Sequence, residues 1–433
     1  MRMATRCQQS NCHRCTVSSG IVISLLAFLL GCIPASSFAQ KIAIEADTIH
    51  TVGPAGTIAN GVVLIENGKI TAVGPTTQVK IPAGFERLHA KIVTPGLIDA
   101  KTSAGLSGIY NELADQDQDE ASDPNTAEVR ALDSFNPQEP LLGFVRSYGV
   151  TTLQATPGLK NPIAGQAGIF KTAGVTAEGM AVRPVSAVVF NLGEQPKTTY
   201  GPRNKAPSTR MGTAALIRTA LVDAQIYFRK WQEWERTDKK DPSKQPARDL
   251  KLEALTRALR GEVPALFIAN REDDISTAIR IAQEFKLKLV LSQATEGYLA
   301  REAIHRAGVP VIVGPTLQRI DAMENANASL ENAALLAEAG IAIAFSSGFE
   351  DYVPKNRVIL FEAAVAAANG LGAERALRAA TLDAAKTLGI AERVGSLEPG
   401  KDADVALFDG DPFEYTSHVE AVLVNGQISY RRR

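Results

Sequence analysis

The sequence predicts an α/β protein: eight strand-helix units closed into a (β/α)8 barrel, flanked by a small β-sandwich built from both chain ends. Three observations carry this expectation. From about residue 96 to 394, short apolar runs of strand length alternate with longer amphipathic runs of helical period. Both flanks read instead as strand, tight turn, strand, with Asn-Gly at the turns. Finally, 433 residues with 45% apolar and 21% charged content can bury a large core, and the low 6% aromatic share suits helices packed closely on a parallel sheet.

Residues 1–39 stand apart. Arg2, Arg6 and Arg14 precede the apolar run IVISLLAFLLG, and Ser37-Phe38-Ala39 offers small residues for cleavage, so the segment reads as an export signal and the mature protein as periplasmic. The run is short for a permanent membrane helix. Leu29-Leu30-Gly31-Cys32 also matches a lipobox, which gives the alternative of a lipoprotein anchored through Cys32. All four cysteines, including the pair in Cys12-His13-Arg14-Cys15, lie in this leader, so the mature chain relies on core packing without disulfides. Loss of the leader's three basic residues leaves 43 Lys and Arg against 47 Asp and Glu, and no basic stripe with interleaved aromatics appears. Nucleic acid is therefore not an expected partner.

Residues 40–95 form the N-terminal part of the expected sandwich, with Asn67-Gly68 as a hairpin turn, and residues 395–433 the C-terminal part, with Asn425-Gly426. Between them, PGLID, GVTTLQAT, SAVVFNLG, PALFIAN, LKLVLSQA, VPVIVGPT and GIAIAFSSG read as parallel strands buried on both faces. AGIFKTAG supplies the eighth. Helices are expected over AEVRALDSF, the long run ending in QEW, DDISTAIRIAQEF, TEGYLAREAIHRAG, SLENAALLAEAG and FEAAVAAANGLG, with Ser208 as the cap of the long one. Arg236 to Leu250 is polar and broken by Pro242 and Pro246, an excursion between elements. Chemistry in such a barrel sits at the C-terminal strand ends.

VTPGLIDA at the first barrel strand, together with GSLEPGKDADVALFDGDP, resembles the amidohydrolase superfamily of metal-dependent hydrolases over nearly the whole mature chain. FNLGEQPKTTYG, APSTRMGTAALIR, NREDDISTAIRIAQEF and QATEGYL resemble the exported bacterial branch related to imidazolonepropionase. The resemblance implies hydrolysis of C–N bonds by one or two divalent metals, whose bound water supplies hydroxide near neutral pH. It also implies ligand positions, and here none carries its usual residue. The His-x-His pair falls on Lys101 and Ser103, the bridging carboxylated lysine on Val189, two further histidines on Asn270 and Gln293, and the catalytic aspartate on Gly348. His50, His89, His305 and His418 all lie away from barrel strand ends, so no realignment restores an imidazole cluster.

The carboxylates of ELADQDQDEASDP do not fit a calcium loop, since Glu120 and Thr126 stand where Gly and Glu are required. They are expected to form a solvated loop or to pair with basic groups over the barrel mouth. Lys171 reads either as a displaced carboxylated lysine or as a substrate-facing or structural one.

The expectation drawn from these residues is a homologue without metal or cofactor, catalytically silent, that binds a small molecule or an active paralogue. Lys101 supplies fixed positive charge, Asn270 and Gln293 keep hydrogen-bonding shape, and Arg210, Arg271, Glu272 and Glu296 are further ligand-binding candidates. One alternative is a metal-free hydrolase in which Lys101 activates the Ser103 hydroxyl. Another is a conventional hydrolase using zinc or a similar metal on other ligands.

Overall fold

The structure is a computed structural model that describes residues 40–110, 112–237, 242–318, 320, 322–348 and 358–433. The export signal, Cys32 and the other cysteines lie outside the described residues.

The chain enters through β1 (Lys41–His50), β2 (Thr57–Glu66), β3 (Lys69–Pro75) and β4 (Glu86–Pro95). The barrel strands follow: β5 (Leu97–Thr102), β6 (Val150–Ala155), β7 (Ile163–Lys171), β8 (Ala181–Asn191), β9 (Ala265–Ala269), β10 (Leu289–Gln293), β11 (Val311–Val313) and β12 (Ile343–Phe345). β13 (Val405–Phe408), β14 (Val419–Val424) and β15 (Gln427–Arg431) then return to the first unit.

The two chain ends build one seven-stranded sheet in the order β15-β14-β13-β4-β1-β2-β3. β13 pairs antiparallel with β4, Val405 opposite Pro95, which makes β13 and β14 interior members of the sheet and leaves β15 at its edge. The sheet curls into a sandwich because β3 meets the segment before β13: Ile70 N donates to Lys401 O at 3.0 Å and Gly400 N to Ile70 O at 2.8 Å. At that seam the two Asn-Gly turns touch. A Cβ on Gly68 would lie 2.8 Å from Asn425 O, so only glycine fits there, and its φ of +76° is one that glycine adopts freely.

The eight barrel strands run in sequence order, β5 to β12. β12 closes on β5: Thr102 and Gly348 form a parallel bridge, and the Ser346 hydroxyl donates to Lys101 O at 2.6 Å. Along each strand successive residues face opposite layers. Ile98, Ala100, Val189, Leu266, Ile268, Val290, Ile312 and Ala344 fill the interior with Leu388, Ile390 and Val394, while Val188, Phe190, Phe267, Leu291 and Phe345 pack outward against the helices. This is a TIM-type barrel, with helices Arg210–Glu235, Glu272–Phe285, Arg301–Ala307, Asn332–Glu338 and Ile359–Ala366 in the connections after β8 to β12.

Three details depart from the sequence reading. β7 is antiparallel to both β6 and β8, so the barrel has seven parallel strands and one reversed, with no helix between β6 and β7. The connection of residues 156–162 is too short for a crossover helix, and a short link between neighbouring strands favours a meander. The long helix is capped by Thr209 rather than Ser208, the Thr209 hydroxyl accepting from Gly212 N at 3.0 Å. In addition, the helix expected over AEVRALDSF is reduced to Ala131–Ser134.

Candidate ligand site at the barrel mouth

Because seven strands are parallel, their C-terminal ends share one rim, and the residues singled out from the sequence distribute around it. Lys101 is the penultimate residue of β5 and is 2% exposed. Its Nζ has no hydrogen-bond or ion-pair partner among the described residues. Burial lowers its pKa to about 8, opposed by the charges of Asp99 and Asp119.

Two residues earlier, Asp99 is equally deep. It accepts from Lys101 N at 3.4 Å and Ser347 N at 3.1 Å, and the Ser347 hydroxyl donates to its Oδ2. Burial pushes this carboxyl up to about 7 against those donors and the nearby Lys101 charge. The sequence reading missed Asp99, although one acid in the apolar run PGLIDA was a usable signal.

Ser103 lies just beyond β5, where the chain turns: its carbonyl accepts from Leu106 N and Ser107 N at 2.9 and 3.0 Å. Its buried hydroxyl has no partner among the described residues. The same holds for the hydroxyls of Ser292 on β10 and Thr316 after β11, and for Asn191 Oδ1 at the end of β8. Buried polar atoms without partners are uncommon, and several at one barrel end mark a place where water or ligand belongs.

Asn270 and Gln293 meet across β9 and β10. Asn270 Nδ2 donates to Gln293 Oε1 at 3.1 Å, and the Thr295 hydroxyl lies 2.8 Å from both Asn270 Oδ1 and Gln318 Oε1. Gln293 holds a left-handed φ of 67°, unusual for this residue type, which turns the chain out of β10. Val189 belongs to the apolar interior layer. Gly348 has φ +72°, and a Cβ there would come 3.0 Å from Pro315 Cδ.

The remaining candidates are engaged in the rim itself. Glu296 accepts from Glu272 N at 2.7 Å and Asn327 Nδ2 at 2.7 Å, tying the start of helix Glu272–Phe285 to the next loop. Arg271 pairs with Asp273 at 3.2 Å, and Glu272 accepts from the Ser276 hydroxyl at 3.1 Å. Arg210 bridges Asp274 at 2.9 Å and Glu324 at 3.0 Å, two carboxyls that burial raises and Arg210 lowers. In the acidic loop, Asp119 accepts from Lys160 N at 3.0 Å, and Lys251 lies 3.6 Å from Asp123.

Lys171 is away from this rim. On the reversed strand β7 it sits near the opposite barrel end, paired with Asp404 at 2.7 Å and Asp402 at 3.2 Å. The structural role weighed for it is the one its contacts describe.

A barrel of this strand order, with polar strand ends on one rim and a sandwich made from both chain ends, is the architecture of amidohydrolase-type proteins. The chain belongs to the amidohydrolase superfamily. The Amidohydrolase family matches residues 273–430. An amidohydrolase of known structure from Thermotoga maritima MSB8 is 34% identical, covering 90% of this chain and 100% of that one with a TM-score of 0.84. Imidazolonepropionase of Bacillus cereus is 21% identical over 413 residues, 87% of this chain and 90% of the relative. Amidohydrolase tasK of Hapsidospora irregularis is 26% identical over 392 residues, and the match covers 40% of that longer relative.

The side chains at the expected metal positions do not suit a divalent ion. Val189 and Gly348 offer no side-chain donor, Lys101 brings positive charge, and the amide oxygens of Gln293 and Asn270 already accept from Asn270 Nδ2 and the Thr295 hydroxyl. Among the described residues, no group of three or more His, Cys, Asp or Glu is arranged to hold a metal.

Proposed function

We propose that this amidohydrolase homologue has exchanged its metal centre for a hydrogen-bonding cage and is a binding protein, silent as a hydrolase. The observation that carries the reading is Lys101: a buried amine with no hydrogen-bond or ion-pair partner among the described residues, at the start of the expected ligand set, where its positive charge stands in for a cation. An isolated charge so deep is costly unless something polar completes its surroundings. The hydroxyls of Ser103, Ser292 and Thr316, which have no partner among the described residues, support a small polar ligand as that completion. We assign the leader to export, giving a periplasmic protein or, through Cys32, an anchored one.

The test uses purified mature chain. Elemental analysis after dialysis should find zinc, manganese and iron far below one per chain, and amides, ureas and cyclic imides should be left intact. A thermal-shift screen of small polar compounds should give a stabilising hit that Lys101→Met abolishes. Stoichiometric metal, with turnover that a chelator extinguishes, would reject the proposal.

A second reading has its own support. The lowered pKa of Lys101 and the Ser103 hydroxyl, which has no partner among the described residues, suit a lysine base that takes the serine proton during attack on the carbonyl of a C–N bond. Chelator-resistant turnover lost in both Lys101→Ala and Ser103→Ala favours it over the binding role.

A further inference from the structure

Away from the barrel mouth, a cleft of about 400 Å3 separates the sandwich from the barrel's outer helices. One wall is the turn between β1 and β2, with His50, Val52 and Gly53. The other is helix Ala373–Ala379, with Glu374 and Leu377, and Asp411 and Phe413 close the end. Junctions between packed units are frequent places for small-molecule sites.

The turn wall is held in an unfavourable backbone state. Val52 has a φ of 56°, and a β-branched side chain in the left-handed region costs on the order of 1–3 kcal/mol, kept only where the surroundings over-determine it. The neighbour Thr51, fully buried, supplies that constraint. Its N–H and hydroxyl both donate to Gly56 O, at 3.1 and 2.7 Å, and its carbonyl accepts from Leu397 N at 2.9 Å.

The charges of the cleft are one-sided. Asp411 and Glu374 are exposed at its edge, and neither has an ion-pair partner among the described residues. Arg378, the cation in the lining, is committed to Asp383 at 3.0 Å. The His50 ring bonds Thr57 Oγ1 at 3.0 Å, and burial lowers its pKa despite the two nearby carboxylates, which leaves the imidazole neutral at pH 7. Two acids therefore face an apolar floor of Val52, Leu377 and Phe413.

We infer that this cleft binds a small organic cation, a primary ammonium on an apolar body, with Asp411 and Glu374 taking the ammonium and Val52, Leu377 and Phe413 the body. The Phe413 ring adds a face on which a cation can rest. This site is independent of Lys101 and of the binding role proposed for the barrel.

Calorimetric titration of the full mature chain with 2-phenylethylammonium and with 2-phenylethanol tests the inference, with the His50 ring resonance followed by NMR. The ammonium should saturate, shift His50, and bind at least about tenfold more tightly than the alcohol. The double variant Asp411→Asn, Glu374→Gln should erase that tenfold preference, and Leu377→Trp should block both compounds. Asn at 411 still accepts the Phe413 N–H that Asp411 accepts at 2.9 Å, and both acids are exposed, so the double variant folds. Equal affinity for the two compounds, unchanged affinity in the double variant, or no saturable binding would each overturn it.

Discussion

Asp99 and Lys101 are two residues apart on one strand and both buried, and their shifts make stability depend on pH in opposite directions. The folded Asp99 keeps its proton to about pH 7, whereas an unfolded aspartate loses it near 3.8, so stability falls as pH rises between those values. Lys101 in the fold releases its proton near pH 8 against 10.5 when unfolded, so stability rises again as pH climbs through that range. The pair therefore contributes least between about pH 7 and 8, where both are charged. Asp99→Asn, whose amide oxygen can still accept from Ser347 N, should flatten the fall between pH 4 and 7 in urea midpoints relative to wild type. Lys101→Met should flatten the rise above pH 8 and leave the pH 7 midpoint equal or higher. Slopes unchanged in both variants would show that the two groups titrate as ordinary surface residues. At this scale the sequence offered candidates for the ligand positions through its resemblance to a family motif. It did not reveal that Asn270 and Gln293 bond to each other, or that Val189 joins the apolar layer, since those depend on neighbouring strands.

Among the elements, β7 shows where sequence pattern runs out. AGIFKTAG announced a buried strand, but an apolar run reads the same in either direction, and only the length of the preceding link distinguishes a crossover from a meander. The reversal decides what Lys171 does. It carries the amine to the sandwich side, where Asp402 and Asp404 also meet Lys69, Arg393, Thr152 and Asn425 N. Burial would raise the Asp402 carboxyl, but Lys171, Lys69 and Arg393 overcome it and hold the group below its usual range. Removing one partner of a buried pair strands the other charge, so Lys171→Ala should cost about 3–5 kcal/mol, read from denaturant midpoints. A loss below 1 kcal/mol would mean that water replaces the amine easily.

For the molecule as a whole, the composite sandwich was readable because two strand-turn-strand segments at opposite ends each lacked a partner. Which strand would be central was not readable, because cross-chain register is set by packing. β13 lies in the interior of the sheet, and Leu397, Ala403, Val405 and Leu407 complete the core of Ile42, Ile44 and Val63. A chain ending at residue 394 should therefore fail as a unit, appearing in the insoluble fraction without a cooperative thermal transition. A soluble, cooperatively melting truncation would show that the barrel stands alone.

The pairing of Pro95 with Val405 also sets an order of events during synthesis. β4 leaves the ribosome with one edge uncovered and keeps it so until Val405–Phe408 has been made, because that much later strand is the one that covers it. A nascent chain with an open apolar edge for that long is prone to mispairing with its neighbours. Holding factors that delay collapse should raise the yield of this protein more than that of barrels whose first strands find partners early.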